Sequence, residues 1–345
     1  MTASAPLRLI LDGSALVANW RWLAARSGAA ACGAAIKANG YGLGARDVAA
    51  RLAGAGCRDF FVATWGEAAA LGALPDGAAV SVLHGVRAED MAAAATLPAR
   101  PVLNSVEQVR RWREAGGGVC DVMVDTGMNR LGLTIEEATG GALEGLTIDT
   151  LMSHLACAEE VDHALNARQL AAFAAVRGQV PARRYSLANS AGILLGEAYR
   201  FDLTRPGVAL YGGQPTAEAA AIQPVAAIEA QILQVRDVAA GESVGYGACW
   251  RTLTDARVAI LNLGYADGYR RALAAGSWAE AGGVRCPLIG RVSMDLIAIE
   301  VTAAAVREGD WVTLPLDLPA LSARSGQSQY EILTGLQDRF ERHWR

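Results

Sequence analysis

Through the first two thirds of the chain, short and nearly all-apolar runs alternate with Ala-rich amphipathic stretches, as parallel strands covered by helices do in a sequence. Eight such runs stand at 32–36, 59–63, 79–83, 101–103, 120–124, 148–153, 184–187 and 201–204. Helical pattern fills the spaces between them, at 45–53, 66–71, 105–115, 135–143 and 161–176. Eight strand–helix units with short loops predict a (β/α)8 barrel rather than an open doubly wound sheet. In a barrel all C-terminal strand ends share one rim, and there the chain places Lys37, Asn104, Asp125 with Asn129 and Arg130, His154, Asn189 with Ser190, and Arg205. The opposite ends are mostly Gly, Ala and Pro.

After Tyr211-Gly212-Gly213-Gln214-Pro215 the pattern becomes β-type, at 226–235, 256–263, 296–301 and 310–314, with a helical stretch only at 330–340. The expected division is a barrel over 1–220 and a smaller, mainly β domain over 221–345. A strand near 7–11, ahead of the first barrel unit, is free to pack with the second domain.

The 345 residues, 52% of them hydrophobic, are enough for a large core. A net charge of −4 argues against a nucleic acid or an anionic membrane as partner, since both would demand a basic face. The six cysteines form no Cys-x-x-Cys pair and read as reduced core residues. Arg8 and Asp12 interrupt the apolar start, and no stretch is long enough to span a bilayer, so the expected location is the cytoplasm.

Lys37 is the only lysine among 31 Lys and Arg residues. A lysine at a strand end can be brought to neutrality by burial or by a neighbouring cation, and can then form a Schiff base with an aldehyde, which arginine cannot. Asn189-Ser190-Ala191-Gly192 and Arg205-Pro206-Gly207-Val208 follow the seventh and eighth runs, where barrels often hold phosphate; a helix cap is the simpler account of Asn189 and Ser190. Arg130 can fork onto a carboxylate of a ligand or onto Asp125. His154, Cys157 and Glu159 are dense enough to suggest a metal-dependent hydrolase, although a helix beginning at Glu159 would turn Asp162 and His163 away from the rim; no metal is expected. Tyr246 between two glycines is either a packed strand-end ring or a base. Tyr265 and the pair Met294 and Asp295 lie in two further turn-like segments.

Ile36-Lys37-Ala38-Asn39-Gly40-Tyr41-Gly42 resembles the pyridoxal-phosphate lysine motif of alanine racemases, and the resemblance continues in order through 125–132, 154–158, 188–192, 205–212, 244–247, 263–268, 290–295 and 330–333. It implies a (β/α)8 barrel followed by a β domain, active as a homodimer with shared active sites, that interconverts L- and D-alanine for peptidoglycan. By resemblance Lys37 carries pyridoxal 5'-phosphate and is the base toward D-alanine. Tyr246 of the second subunit is the base toward L-alanine, helped by His154 and Arg205, with Arg205 facing the pyridine nitrogen. Tyr41, Asn189, Ser190, Gly207, Val208 and Tyr330 are implied around the cofactor, and Arg130, Met294, Tyr265 and Asp295 around the substrate. The family's carbamylated lysine, two residues before the aspartate of Asp-Thr-Gly, is replaced by Met123, so Arg130 must be oriented differently. Glu159 replaces a usual aspartate. A racemase for serine or for several amino acids, and a non-catalytic pyridoxal-phosphate-binding barrel, are the alternatives, the second disfavoured by the β domain.

Overall fold

The computed structural model describes residues 5–345, which form two compact units, one of residues up to Ala15 with Pro224–Arg345 and the other of Leu16–Gln223. Strand β1 (Leu7–Leu11) opens the chain and helix α1 (Gly13–Ser27) leads into the second of these units. The Asp12 carboxylate accepts the Ala15 amide at 2.9 Å and so supplies a cap to the first turn of α1.

The Leu16–Gln223 unit is a parallel barrel. Strands β2 (Ala31–Cys32), β3 (Ala34–Ala35), β4 (Asp59–Val62), β5 (Ala79–Val82), β6 (Ala99–Leu103), β7 (Val119–Met123), β8 (Thr147–Met152), β9 (Arg184–Ser186) and β10 (Leu203–Thr204) follow the apolar runs. A ladder runs unbroken from β3 to β9, and β10 pairs with β2. Backbone bonds close the ring on both sides of β10: Asp202 N to Tyr185 O (3.0 Å) and Arg205 N to Ala188 O (2.8 Å) on one, Gly33 N to Thr204 O (2.9 Å) and Ala35 N to Pro206 O (2.8 Å) on the other. The first run is split at Gly33 because its backbone lies against β4, where a Cβ would sit 2.8 Å from Asp59 O.

Outer helices follow the strands: α2 (Lys37–Tyr41), α3 (Ala45–Ala55), α4 (Trp65–Leu71), α5 (Met91–Thr96), α6 (Val106–Glu114), α7 (Ile135–Thr139) and α8 (Ala164–Arg177). Two differ from the expectation. Helix α7 stops at Thr139, before three glycines within six residues at Gly140, Gly141 and Gly145. Helix α8 starts at Ala164 rather than at 161, because the His163 ring nitrogen caps Leu165 N at 3.2 Å and 159–163 is turn.

Charged side chains occupy the barrel near the N-terminal ends of its strands. Arg184 bridges Asp59 (2.6 Å) and Asp149 (2.9 Å), Arg100 reaches Asp149 (3.0 Å), and Ser81 donates to the fully buried Asp121 at 2.5 Å. Burial outweighs Arg100 and the Ser81 hydrogen bond and lifts Asp121 to about 6. Burial would also raise Asp149, but hydrogen bonds from Arg183 and Arg184 bring it down to about 2. The lattice lies away from the rim and fixes strand register there.

In the other unit, the long strand β11 (Ala226–Val238) alternates buried and half-buried positions over its first half and pairs with β1, with β14 (Ala256–Leu261) and with β18 (Trp311–Pro315). The β-hairpin of β12 (Ser243–Val244) and β13 (Trp250–Arg251) stands apart, while β15 (Trp278–Ala281), β16 (Val284–Ile289) and β17 (Ile297–Glu300) complete a closed ring. Strand β19 (Glu341–Trp344) runs parallel to β1. Of the helix expected over 330–340 only the first part forms, as α10 (Gln329–Thr334), which Gly335 caps; the helix before it, α9 (Leu318–Ser325), ended by Gly326 in the left-handed region, was not expected.

Removing one member of a buried ion pair leaves the other uncompensated. Arg184→Met is therefore expected to destabilise the protein by about 3–5 kcal/mol, read as a lower denaturant midpoint at unchanged slope. A loss below about 1 kcal/mol would mean that Asp59 and Asp149 find other compensation.

Candidate active site

Lys37 ends the β3 segment and begins α2, which is not a right-handed helix. Ala38, Asn39, Gly40 and Tyr41 all have positive φ, at 53°, 52°, 62° and 54°, and Gly42 follows at 86°. A left-handed turn costs about 1–2 kcal/mol for each non-glycine residue, so neighbouring bonds must over-determine it. They do: Gly40 N donates to Ile36 O (2.8 Å), Gly42 N to Ala38 O (2.9 Å) and Gly44 N to Asn39 O (2.8 Å), while Asn39 Oδ1 accepts Ala45 N (3.0 Å) and Glu67 Oε1 accepts Ala38 N (2.8 Å). The turn reverses the chain within one residue of Lys37 and buries Tyr41, whose ring stacks on Tyr211 with centroids 4.6 Å apart. Tyr211 is tied back to the strand by donating to Ala35 O at 2.8 Å.

Basic groups converge here. Burial lowers the Lys37 pKa, the Arg130 charge lowers it further, and Glu67 acts in the opposite sense. His154, after β8, is pushed down to about 3 by burial and then by Arg205, Arg130 and Lys37, so its imidazole is neutral at pH 7. Arg205, after β10, is buried, and Nη2 donates to Ser153 O at 2.6 Å while Nη1 donates to Ser186 Oγ. Burial draws Arg205 down to about 10, which leaves it a cation at neutral pH.

Ser190 and Asn189 divide their work. Asn189 Oδ1 accepts Gly192 N (2.8 Å), the cap-like role; Ser190 Oγ instead accepts Gly207 N (2.9 Å) and Ala209 N (3.4 Å) at the start of the 3₁₀ turn Val208–Tyr211. Gly207 is required by close approach, since a Cβ there would collide with the Tyr41 hydroxyl. Backbone amides, two hydroxyls and a glycine thus meet beside Lys37's turn, a donor set suited to a phosphate.

Arg130 does not pair with Asp125 as an internal salt bridge. The Asp125 carboxylate accepts the backbone amides of Gly127 (2.7 Å), Met128 (2.8 Å) and Arg130 (3.0 Å), shaping the loop and leaving the exposed guanidinium to face Lys37 and His154. No cluster of three His, Cys, Asp or Glu side chains among the described residues could hold a metal, so His154, Cys157 and Glu159 do not form a ligand set.

Gln169 escaped sequence reasoning. Fully buried on α8, it accepts Ala156 N (2.9 Å) and donates to His154 O (2.9 Å) and Thr126 Oγ1 (3.3 Å); Thr126 Oγ1 in turn bonds Ser153 Oγ at 2.8 Å. One side chain therefore joins the loops that carry Arg130 and His154. The available signal was Asn166 and Gln169, polar at i and i+3 on the face that buries Phe173.

Tyr246, Tyr265, Met294, Asp295 and Tyr330 belong to the other unit. Tyr246 is 68% exposed on a turn between Gly245 and Gly247, which both have positive φ. Tyr265 N donates to Ser293 O (3.0 Å) and Ala266 N to Met294 O (2.9 Å), so the 264–268 and 293–295 loops are laced together, and Arg339 pairs with Asp295 at 2.6 Å. Tyr330 begins the first turn of α10.

A parallel barrel with a lone lysine of lowered pKa, a phosphate-type cradle and a buried arginine on one rim, followed by a β unit, defines the class of barrel enzymes that use an aldehyde cofactor. Comparison with known families identifies which: the alanine racemase N-terminal domain matches residues 11–215 and the alanine racemase C-terminal domain residues 225–344, and the chain belongs to the alanine racemase family. It is 47% identical to the alanine racemase of Methylobacterium nodulans, over 99% of this chain and 97% of that protein, and 40% identical to the biosynthetic alanine racemase of Agrobacterium fabrum, over 99% and 94%. The crystal structure of alanine racemase from Bartonella henselae with covalently bound pyridoxal phosphate superposes with a TM-score of 0.89 at 36% identity, covering 99% of this chain and all of that one.

Gln169→Leu keeps the helix but leaves His154 O and Ala156 N without their partner, each worth about 1–3 kcal/mol when buried. Amide exchange in 125–132 and 153–158 is expected to rise together; a rise in only one segment would show that the two loops are held independently.

Proposed function

We propose that the chain interconverts L- and D-alanine by proton transfer at the α-carbon, with pyridoxal 5'-phosphate joined to Lys37. The observation that carries this reading is Lys37 itself: the only lysine, at a barrel rim, with its pKa lowered beside a phosphate-type cradle. The residues present fit that cofactor. Tyr41, Ser190 and the amides of Gly207 and Val208 would hold its phosphate, with Asn189 shaping the loop, and the family resemblance adds Tyr330. Arg205 would face its ring nitrogen and, remaining protonated, would donate there without giving up a proton. When bound, the cofactor draws electron density from the substrate's α-carbon and makes that C–H acidic.

Inversion needs two proton carriers on opposite faces. Lys37 serves one face, its pKa lowered by burial and then by the Arg130 charge. Tyr246 of a second copy serves the other. Arg130 receives the substrate carboxylate, and Met294, Tyr265 and Asp295 line the alanine side. Exposed Tyr246, Leu253 and Met294, at 68%, 91% and 53%, support a homodimer in which a second copy covers these loops. Six free thiols support a reducing cytoplasm, and the biosynthetic relative supports supply of D-alanine to peptidoglycan.

Borohydride reduction of the coloured protein is expected to leave one stable adduct, on Lys37, and Lys37→Arg to abolish both colour and racemisation. Tyr246→Phe is expected to slow L-to-D conversion about 100-fold or more, the usual weight of an acid–base group. A colourless protein after addition of pyridoxal phosphate refutes the cofactor reading, and equal activity on serine would move the substrate to the broader alternative.

A further inference from the structure

Three helices among the described residues have Ser or Thr at the cap and Glu three residues later, the pattern in which the glutamate folds back onto its own helix cap. Thr134 with Glu137 and Ser328 with Glu331 do this, each glutamate accepting the cap residue's amide at 2.8 Å. Glu67, third in α4, does not. Thr64 Oγ1 still caps Glu67 N at 3.2 Å, but the carboxylate reaches past Thr64 to Ala63 N (Oε2, 2.6 Å) and to Ala38 N (Oε1, 2.8 Å). Those amides belong to the end of β4 and to the residue after Lys37. The diverted carboxylate therefore ties the left-handed turn to the next strand end.

Its charge matters as much as its reach. The charged or titratable groups facing Lys37 are Arg130, His154 and Glu67; His154 is neutral, Arg130 opposes protonation of the amine, and Glu67 favours it. We propose that Glu67 is the positioning residue of Lys37, holding the turn in register while setting how readily the amine takes and gives a proton. Two partners that no other side chain bridges would be released together if it were lost, and the strained turn would lose the bond at its first residue. The inference rests on Lys37 being the reacting amine.

The single lysine makes the test direct. Reductive ¹³C-methylation of the full-length chain, resolved of cofactor, labels Lys37 and the α-amino terminus, and the terminus is recognised by titrating near its ordinary value. Glu67→Gln is expected to lower the Lys37 midpoint by at least about half a unit, because an opposite charge near an amine raises its pKa. It also loosens the turn, because an amide can accept only one of the two N–H groups, so pyridoxal phosphate should dissociate several times faster. Glu67→Asp keeps the charge but cannot span both amides; its midpoint is expected to stay near wild type while cofactor retention still falls, and it serves alone if the Gln variant folds poorly. Identical midpoints and retention in wild type and both variants would overturn the inference. A wild-type chain that forms no reducible Lys37 adduct would instead overturn the cofactor reading and leave the titration result standing.

Discussion

Parallel hydrogen bonding around the barrel is the constraint on which everything else depends. Because every strand from β3 to β10 runs the same way, residues that follow the strands by one or two positions, although up to 168 apart from Lys37 to Arg205, arrive on one rim. The closure at β10 is made by backbone bonds on both sides, where the Asp202, Arg205, Gly33 and Ala35 amides all find carbonyls of neighbouring segments, and side chains such as Asp202, which accepts Tyr185 N at 2.8 Å, add to it. Arg205 follows that strand directly, so the bond that closes the barrel also sets the buried cation in place. At the other end the Arg100, Arg184, Asp59 and Asp149 lattice exchanges apolar packing for directional bonds, which favours one register over its neighbours.

The rim is electrostatically lopsided. Arg205, Arg130 and Lys37 bring basic charge to a region where His154 is held neutral by them and by burial. Gathering like charges in a partly dry site is unfavourable unless something anionic completes it, and the structure answers in two ways. Glu67 enters from α4, and the amides and hydroxyls around Ser190 and Gly207 remain suited to an anion. Burial, and after it the Arg130 charge, lowers the Lys37 pKa, the shift that a Schiff-base amine requires. Site assembly and amine activation are thus one physical effect.

Much of this was legible in the sequence, and the particular residues show why. Apolar runs mark buried parallel strands because both faces are covered, so all eight were visible, as was the lysine at the end of the first. Ser190 and Gly207 were visible as a pair, but whether Ser190 capped a helix or reached the 207–209 amides was a question of distance across 17 residues. Gln169 and Glu67 were not visible as site residues at all. Both sit on outer helices, read as an ordinary helix residue and an ordinary capping glutamate, and act only through backbone groups of distant loops. The left-handed turn after Lys37 was hidden too, since Asn39, Gly40 and Gly42 tolerate positive φ but Ala38 and Tyr41, which share it, give no sign of it.

By itself the sequence determined the covalent inventory and the periodicities: one amine capable of Schiff-base chemistry, strands and helices in alternation, a change to β pattern near residue 220, and the family to which these belong. Those properties are local, because side-chain identity and burial period are carried by neighbouring residues. Tertiary structure alone decided that Asp125 spends its carboxylate on the amides of its own loop instead of on the Arg130 guanidinium, that α8 starts three residues later than its pattern suggests, and that the Lys37 turn winds left-handed under a glutamate from another helix. The physical reason is common to all three. Each is a choice among hydrogen-bond partners of similar strength, and only the folded chain, by bringing some of them within 3 Å and removing others from water, makes one choice better than the rest.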